Sequence, residues 1–139
     1  MMRVQKKLRS ESGASAVEFA LLLPVLMMIL FGIIEFGVAL YRQAILTNAS
    51  REGARLAIVQ SVPPITTAAV DARIDTYLTS AGITPGNVTH VISPIVGVTG
   101  TPVTVTLTLP YTFVSLPGLT SSLVPSTITL TATTVMSHE

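Results

Sequence analysis

Two glutamates flank a long apolar run, and they are the residues of this chain whose placement most needs a chemical explanation. Glu18 directly precedes sixteen residues without a charge, and Glu35 directly follows them. An ionised side chain costs roughly 2.5–3.5 kcal/mol near a bilayer centre, so a carboxylate in or beside a membrane usually has a partner or a function. Both glutamates are therefore candidate sites.

Glu18 fits one chemistry together with Gly13, five residues before it. If the chain were cut after Gly13, Ala14 would carry a new α-amine at i relative to Glu18 at i+4, on one helix face. A cation beside a carboxylate in a low-dielectric setting lessens the cost of burying either charge. The same amine could instead pair with Glu18 of a neighbouring chain, and the sequence leaves both options open.

Glu35 lies about 24 Å along a helix from Phe19, near the outer boundary of a hydrocarbon core roughly 30 Å thick. Two interpretations of its carboxylate are open. In the first, it reaches water or pairs with Arg42, about two helical turns further on. In the second, it pairs with another subunit inside the membrane.

Side chains suited to catalysis or metal binding are sparse. The two histidines, His90 and His138, have neither a cysteine nor an acidic cluster with ligand spacing beside them. The chain has no cysteine and no glycine-rich phosphate loop, and its net charge of +1 gives no nucleic-acid footprint. We therefore predict no enzyme activity, no metal or other cofactor and no nucleic-acid partner.

A membrane helix is the first element that must position the glutamates. Phe19 to Tyr41 is 23 residues with one charge, which spans roughly 35 Å. A cleaved secretory signal would be shorter and would end in small residues, whereas residues 13–16, which are small, precede this apolar run. Four Lys or Arg precede the helix and three follow it closely, which weakly favours a cytoplasmic N-terminus.

The helix is predicted to continue beyond the membrane until Pro63-Pro64 ends it, with an apolar stripe from Ile45 to Val59. Within the apolar run, Pro24 predicts a kink or local melting of the preceding turn. A ridge of small residues on the extension, which would let another backbone approach closely, is formed by Ala49, Gly53 and Ala57.

Residues 63–139 predict a small α+β domain. Thr66 or Thr67 caps a second helix that ends near Gly82, with apolar residues on one face at positions 70, 74 and 78. Beyond it the apolar period changes to two, which predicts a three-stranded antiparallel sheet at Val88–Ile92, Val103–Leu109 and 127–133. About 80 residues without disulfides form a marginal core alone, so the sheet is expected to pack on the first helix.

The N-terminal segment resembles a known family. A basic head followed by Gly13-Ala14-Ser15-Ala16-Val17-Glu18-Phe19 is similar to a type IV prepilin processing site. The sequence over about residues 10–59 resembles the TadE-like family, minor pilin-like proteins of bacterial tight-adherence (Tad) pili. The resemblance implies that an inner-membrane prepilin peptidase cuts between Gly13 and Ala14 from the cytoplasmic side. It also implies that Glu18 and Phe19 serve subunit registration in a pilus whose core is packed first helices.

These observations together predict four segments: a basic leader 1–13, a transmembrane helix 14–41, its extension 42–62 and an extracytoplasmic domain 63–139. The expected fold is pilin-like α+β. The expected function is structural, in assembly of an adhesive pilus with other pilin and pseudopilin subunits, from a protein held in inner-membrane lipid. The alternative is a permanently anchored single-pass protein whose outer domain captures a partner, and cleavage after Gly13 discriminates between the two.

Overall fold

The computed structural model describes residues 4–93, 95, 98–114 and 126–138, with side chains from residue 13 onward. The side chains of the predicted basic head lie outside this description. The described chain forms two helices and a three-stranded antiparallel sheet, which confirms the predicted α+β class. The elements are α1 (Val4–Ala57), α2 (Thr67–Ser80), β1 (Thr89–Ile92), β2 (Pro102–Thr112) and β3 (Thr127–Ser137), with a 3-10 turn at Pro85–Asn87.

Helix α1 is 54 residues long, about 80 Å, and it runs without a break through Pro24. The predicted local melting is therefore wrong; a proline removes one backbone donor, and small local adjustments leave the rest of a membrane-length helix hydrogen-bonded. The helix ends at Ala57 and not at the proline pair. Its last turn closes through Ile58 N–H to the Ala54 carbonyl at 3.2 Å.

Helix α2 begins and ends as its sequence predicts. Of the two candidate caps, Thr66 is the one used: its side chain accepts a hydrogen bond from the Ala69 backbone N–H at 3.2 Å. After the helix, Gly82 adopts a φ of +77°, a conformation that glycine reaches without a Cβ penalty. The buried face of α2 consists of Val70, Ile74 and Leu78.

The sheet has the order β1-β2-β3, and both pairs are antiparallel. Ser93 N–H bonds the Thr104 carbonyl at 2.9 Å, so the even-numbered backbone groups of β2 point toward β1. Pro110 lies beyond the last β1 partner, Thr108, so its missing N–H falls on an unpaired edge, where a proline is tolerated in a strand.

The core lies between the inner face of the sheet and the two helices. Strand β2 alternates strictly from Val103 to Tyr111, with every odd-numbered side chain buried. The inner face of the sheet covers the stripe of α1 that begins near Ile45, as expected for a small domain that needs the first helix for burial. Val59, at the end of that stripe, is exposed because α1 has already ended.

Polar contacts fix the sheet lengthwise along α1. They recur on α1 at intervals of about two turns, on one face of the helix. Strand β3 runs parallel to α1, as its two contacts at Thr131 and Thr134 show, while the other two contacts come from Tyr111 of β2 and from His138 just after β3. They are Tyr111 Oη to Glu35 Oε2 at 2.5 Å, Gln43 Nε2 to the Thr131 carbonyl at 2.8 Å, Ser50 Oγ to Thr134 Oγ1 at 2.7 Å, and His138 Nδ1 to the Ile58 carbonyl at 3.1 Å.

Candidate functional site

The first half of α1 is an uncovered apolar surface. The segment Gly13–Ala57 is long and apolar enough to cross a membrane, and between Gly13 and Ile34 no described side chain is buried. A core helix of equal hydropathy in a water-soluble protein would be covered by the rest of the fold. This segment therefore suits a lipid environment, and it indicates a membrane-anchored protein.

The predicted processing junction lies at the start of this exposed segment. Gly13 and Ala14 are exposed, and a Cβ added to Gly13 would meet nothing within 4 Å. Glu18 and Phe19 follow one turn later in the same helix, and both are exposed. The spacing between Ala14 and Glu18 is therefore helical, as the pairing hypothesis requires, while the roles of these residues stay predictions.

Glu35 marks the point where α1 becomes covered. It is 5% exposed, and its carboxylate accepts hydrogen bonds from Tyr111 Oη at 2.5 Å and from the Val114 backbone N–H at 2.8 Å. The interpretation that this carboxylate reaches water is wrong. Its partners belong to the end of β2 in the same chain, which the sequence did not indicate because the two elements are far apart in the chain.

Arg42 joins the same cluster through the ring of Tyr111. Its guanidinium carbon lies 5.1 Å from the ring centroid, in cation–π geometry. Burial raises the pKa of the Tyr111 hydroxyl, as do its hydrogen bond to Glu35 and the charge of Glu35, while Arg42 acts in the opposite direction. Tyr111 therefore stays protonated and donates to Glu35. Glu35 and Arg42, predicted as a pair, meet on one tyrosine.

Tyr111 could have been found from the sequence, and Val114 could not. Tyr111 continues the inward alternation of Val103 to Leu109 by one step, and a buried tyrosine hydroxyl normally needs a hydrogen-bond partner. Val114 binds Glu35 through its backbone N–H, just beyond the strand. The type of side chain does not indicate such a contact. Of the residues in the cluster, only Glu35 and Arg42 stood out in the sequence.

The ridge of small residues on α1 is occupied by α2 of the same chain. Ala49 and Ala57 are fully buried. A Cβ added to Gly53 would lie 2.7 Å from Ile74 Cδ1 and 2.8 Å from Ile74 Cγ1. A larger residue at this position would have to displace Ile74, so α2 of the same chain already occupies the surface at Gly53.

Ionic contacts join the two helices at the surface of the domain. Glu52 pairs with Arg55 at 3.0 Å and with Arg73 of α2 at 2.6 Å. Hydrogen bonds from Arg55 first, and then from Arg73, lower the pKa of Glu52 to about 2. The cluster joins α1 to α2 at the surface and has the character of a structural contact.

His90 of β1 lies between two carboxylates of α2. Its Nδ1 is 3.0 Å from Asp71 Oδ1, and its Nε2 is 3.7 Å from Asp75 Oδ1. Sequence spacing did not reveal this group, because the acids and the histidine belong to different elements. Among the described residues, no three His, Asp or Glu side chains are placed to hold a metal ion.

A membrane-length helix, bare along its first half and packed along its second half against a small α+β domain, is the arrangement expected of a protein anchored in a membrane by one helix. Residues 13–55 match the model of the TadE-like protein family, which confirms the resemblance predicted from the sequence. The match covers most of the described α1 and excludes α2 and the sheet. No curated protein and no solved structure matches the chain.

Proposed function

We propose that the protein is a pilin-like structural subunit that a prepilin peptidase processes and that assembles with other pilin and pseudopilin subunits into an adhesive Tad pilus. The N-terminus lies in the cytoplasm, α1 crosses the inner membrane and the domain is extracytoplasmic. The observation that supports this most is the family match, which begins at Gly13, the residue predicted to precede the cut.

The exposed apolar half of α1 supports the proposal because the same surface suits both the membrane-inserted subunit and the subunit assembled in a filament. In the membrane it contacts lipid, and in a filament it contacts the apolar helices of neighbouring subunits. When the helix exchanges lipid for other apolar helices, its apolar surface stays covered in both states. The association therefore depends on van der Waals packing and on polar pairs between helices. Glu18 is the described carboxylate on this bare half, since Glu35 is already bonded within its own domain.

The pairing of Glu18 with an α-amine then gives assembly its specificity. Cutting after Gly13 creates the amine on Ala14, within one turn of Glu18. An amine of a neighbouring subunit that packs at the same level can bond the same carboxylate. A pair of this kind fixes the relative height of two apolar helices, which otherwise slide freely past each other.

The experiment is Glu18→Ala in the native host, with mature mass, membrane fractionation and piliation measured on the same variant. Membrane insertion should be kept, because the substitution removes an ionised group from an apolar segment. Cleavage should be largely preserved, since the cut lies five residues before Glu18. Assembly should fail, because removing half of a buried ion pair costs about 3–5 kcal/mol.

Glu52→Gln is the matched control, since it removes a carboxylate of α1 whose partners are exposed arginines outside the membrane segment. It should be cleaved and piliated normally. A cleaved Glu18→Ala protein in normally piliated cells would show that Glu18 has no pairing role in assembly.

A further inference from the structure

Aromatic side chains are few in this chain, three Tyr and four Phe, and they are concentrated around Glu35. Four of these seven lie within one short stretch of α1 or at the end of β2 that Glu35 binds. Together with an arginine and a valine they form a group that we name the interface collar. The interface collar consists of Phe36, Tyr41, Arg42, Tyr111, Phe113 and Val114.

Direct contacts join the members of the interface collar that lie around Tyr111. The rings of Tyr111 and Phe113 meet edge to face, with centroids 5.4 Å apart. Arg42 lies over the Tyr111 ring at 5.1 Å, and the Val114 backbone N–H binds Glu35 at 2.8 Å. The end of the sheet is therefore tied to α1 at the residue where the bare apolar segment stops.

The outer side of the interface collar is apolar and uncovered. Phe36 is 62% exposed, Tyr41 is 63% exposed and Val114 is 78% exposed. Single exposed apolar side chains are ordinary on a protein surface. These three, however, lie next to the exposed apolar segment that ends at Ile34. The lipid that surrounds that segment would therefore also be adjacent to them.

The length of the helix places the interface collar at the edge of a bilayer. If Glu35 stands at the outer boundary of a hydrocarbon core roughly 30 Å thick, the inner boundary falls about 20 residues earlier, near Ser15. Arg42 then lies about 10 Å beyond the core, at the level of the headgroups. Tyrosines and arginines prefer this depth, where a ring or an aliphatic stem stays apolar and the polar end meets headgroups.

We infer that the interface collar rests on the outer leaflet of the membrane and that the domain therefore binds a phospholipid surface directly. The aromatic side chains occupy the headgroup region, and Arg42 faces lipid phosphates. The hydrogen bonds of Glu35 set the height of the domain on its helix. This inference rests on the membrane anchoring in the proposed function. It places the domain in contact with the lipid headgroups, with no stretch of bare helix between the domain and the bilayer.

Fluorescence quenching by depth tests the inference on the full-length chain. The protein has no cysteine, so single substitutions can each carry one fluorophore without background labelling. Tyr41→Cys and Val114→Cys report the interface collar, and Ile29→Cys reports the bare helix. Val62→Cys, a fully exposed position past the far end of α1, is the matched control. Each labelled protein is reconstituted in vesicles of phosphatidylcholine and phosphatidylglycerol with a nitroxide on either the headgroup or the acyl chain.

The expected result is a loss of fluorescence at Tyr41 and Val114 with the headgroup nitroxide, a loss at Ile29 with the acyl-chain nitroxide, and no loss at Val62 with either. If Ile29 is quenched while Val114 behaves like Val62, the domain stands clear of the lipid and the inference is wrong, although the membrane anchoring holds. If Ile29 is not quenched either, the anchoring fails and the inference fails with it.

Discussion

At the scale of single residues, the Glu35 carboxylate lies in a helix that is apolar on both sides and accepts two hydrogen bonds from the end of β2. A buried carboxylate without donors would be strongly unfavourable, so these bonds make the position tolerable and specify where the sheet must dock. Glu35 is therefore a residue that positions the domain, in addition to any contact that it makes between subunits.

Tyr111→Phe tests this role of Glu35 by removing one donor and keeping the ring. Hydrogen bonds to charged groups contribute about 1.5–3 kcal/mol, so the free energy of unfolding should fall by about that amount. The measurement is chemical unfolding of the full chain in detergent micelles. Tyr77→Phe is the control, because no hydrogen bond of its hydroxyl is found among the described residues. Equal stability of the two variants would contradict the positioning role.

The predictability of single residues depended on how local their partners are. Gly13, Ala14 and Glu18 lie within one and a half helical turns, so their relation could be derived from spacing alone. The partner of Glu35 lies 76 residues away, and its identity depends on the register between α1 and β2. A sequence shows that such a carboxylate needs a partner, but only the packed structure identifies it.

At the scale of elements, α1 and α2 pack where Gly53 removes a side chain from the contact. The sequence predicted a ridge for close approach but did not say which backbone would use it. The structure gives that place to α2, whose Ile74 covers Gly53. Close packing within the chain offsets the roughly 1 kcal/mol that a glycine costs in the middle of a helix.

Gly53→Ala should destabilise the protein despite its better helix propensity. The new Cβ would lie 2.7 Å from Ile74 Cδ1, and Ile74 is fully buried and cannot move freely. Overpacking costs about 1–3 kcal/mol, against a gain of about 1 kcal/mol from propensity, so a net loss of up to about 2 kcal/mol is expected. Unfolding in denaturant measures it.

Gly37→Ala is the control for this substitution, since a Cβ there would meet nothing within 4 Å in the same helix. In an Ile74→Ala background, Gly53→Ala should lose its penalty, because the clashing atoms are gone. If Gly53→Ala stabilises the protein as much as Gly37→Ala does, the close approach at Gly53 does not limit the packing of α1 on α2.

The ion pairs of Glu52 should make the α1–α2 contact sensitive to acid. The folded-state pKa of Glu52 is about 2, below the ordinary value of 4.5. Its contribution to stability is therefore fully present above the ordinary value and is lost as the pH falls toward the folded-state value. Because Arg55 and Arg73 are half or more exposed, we expect a small effect.

The measurement is the difference in unfolding midpoint between the unsubstituted protein and Glu52→Gln, taken near neutral pH and again at a pH between the two pKa values. The difference should be larger near neutral pH and should shrink in acid. A difference that is the same at both values would show that Glu52 makes no charge-dependent contribution.

Element types were predicted better than element ends. Alternation in β2 and β3 and the spacing of apolar residues in α2 are local signals, and the structure confirms all three. The end of α1 was placed too late, because no glycine or proline separates Ala57 from Pro63 and a helix needs no such residue to stop. The four contacts that register the sheet on α1 were missed, since they join elements distant in the chain.

At the scale of the whole molecule, one helix serves two environments. Its first half is exposed and suits lipid or other helices, while side chains of its second half form part of the domain core. The domain already contacts the helix at Glu35, and the boundary at residue 41 between the membrane segment and its extension stays a prediction.

The proposed pilin-like function depends most directly on removal of the first thirteen residues, because a permanent anchor has no need of a cut at Gly13. N-terminal sequencing and intact mass of the protein from its native membrane measure this, with a Gly13→Leu variant beside it. We predict that the mature protein begins at Ala14 and that Gly13→Leu stays full length. A mature protein that retains residues 1–13 in cells with an active prepilin peptidase would contradict the pilin-like account and favour a permanently anchored protein.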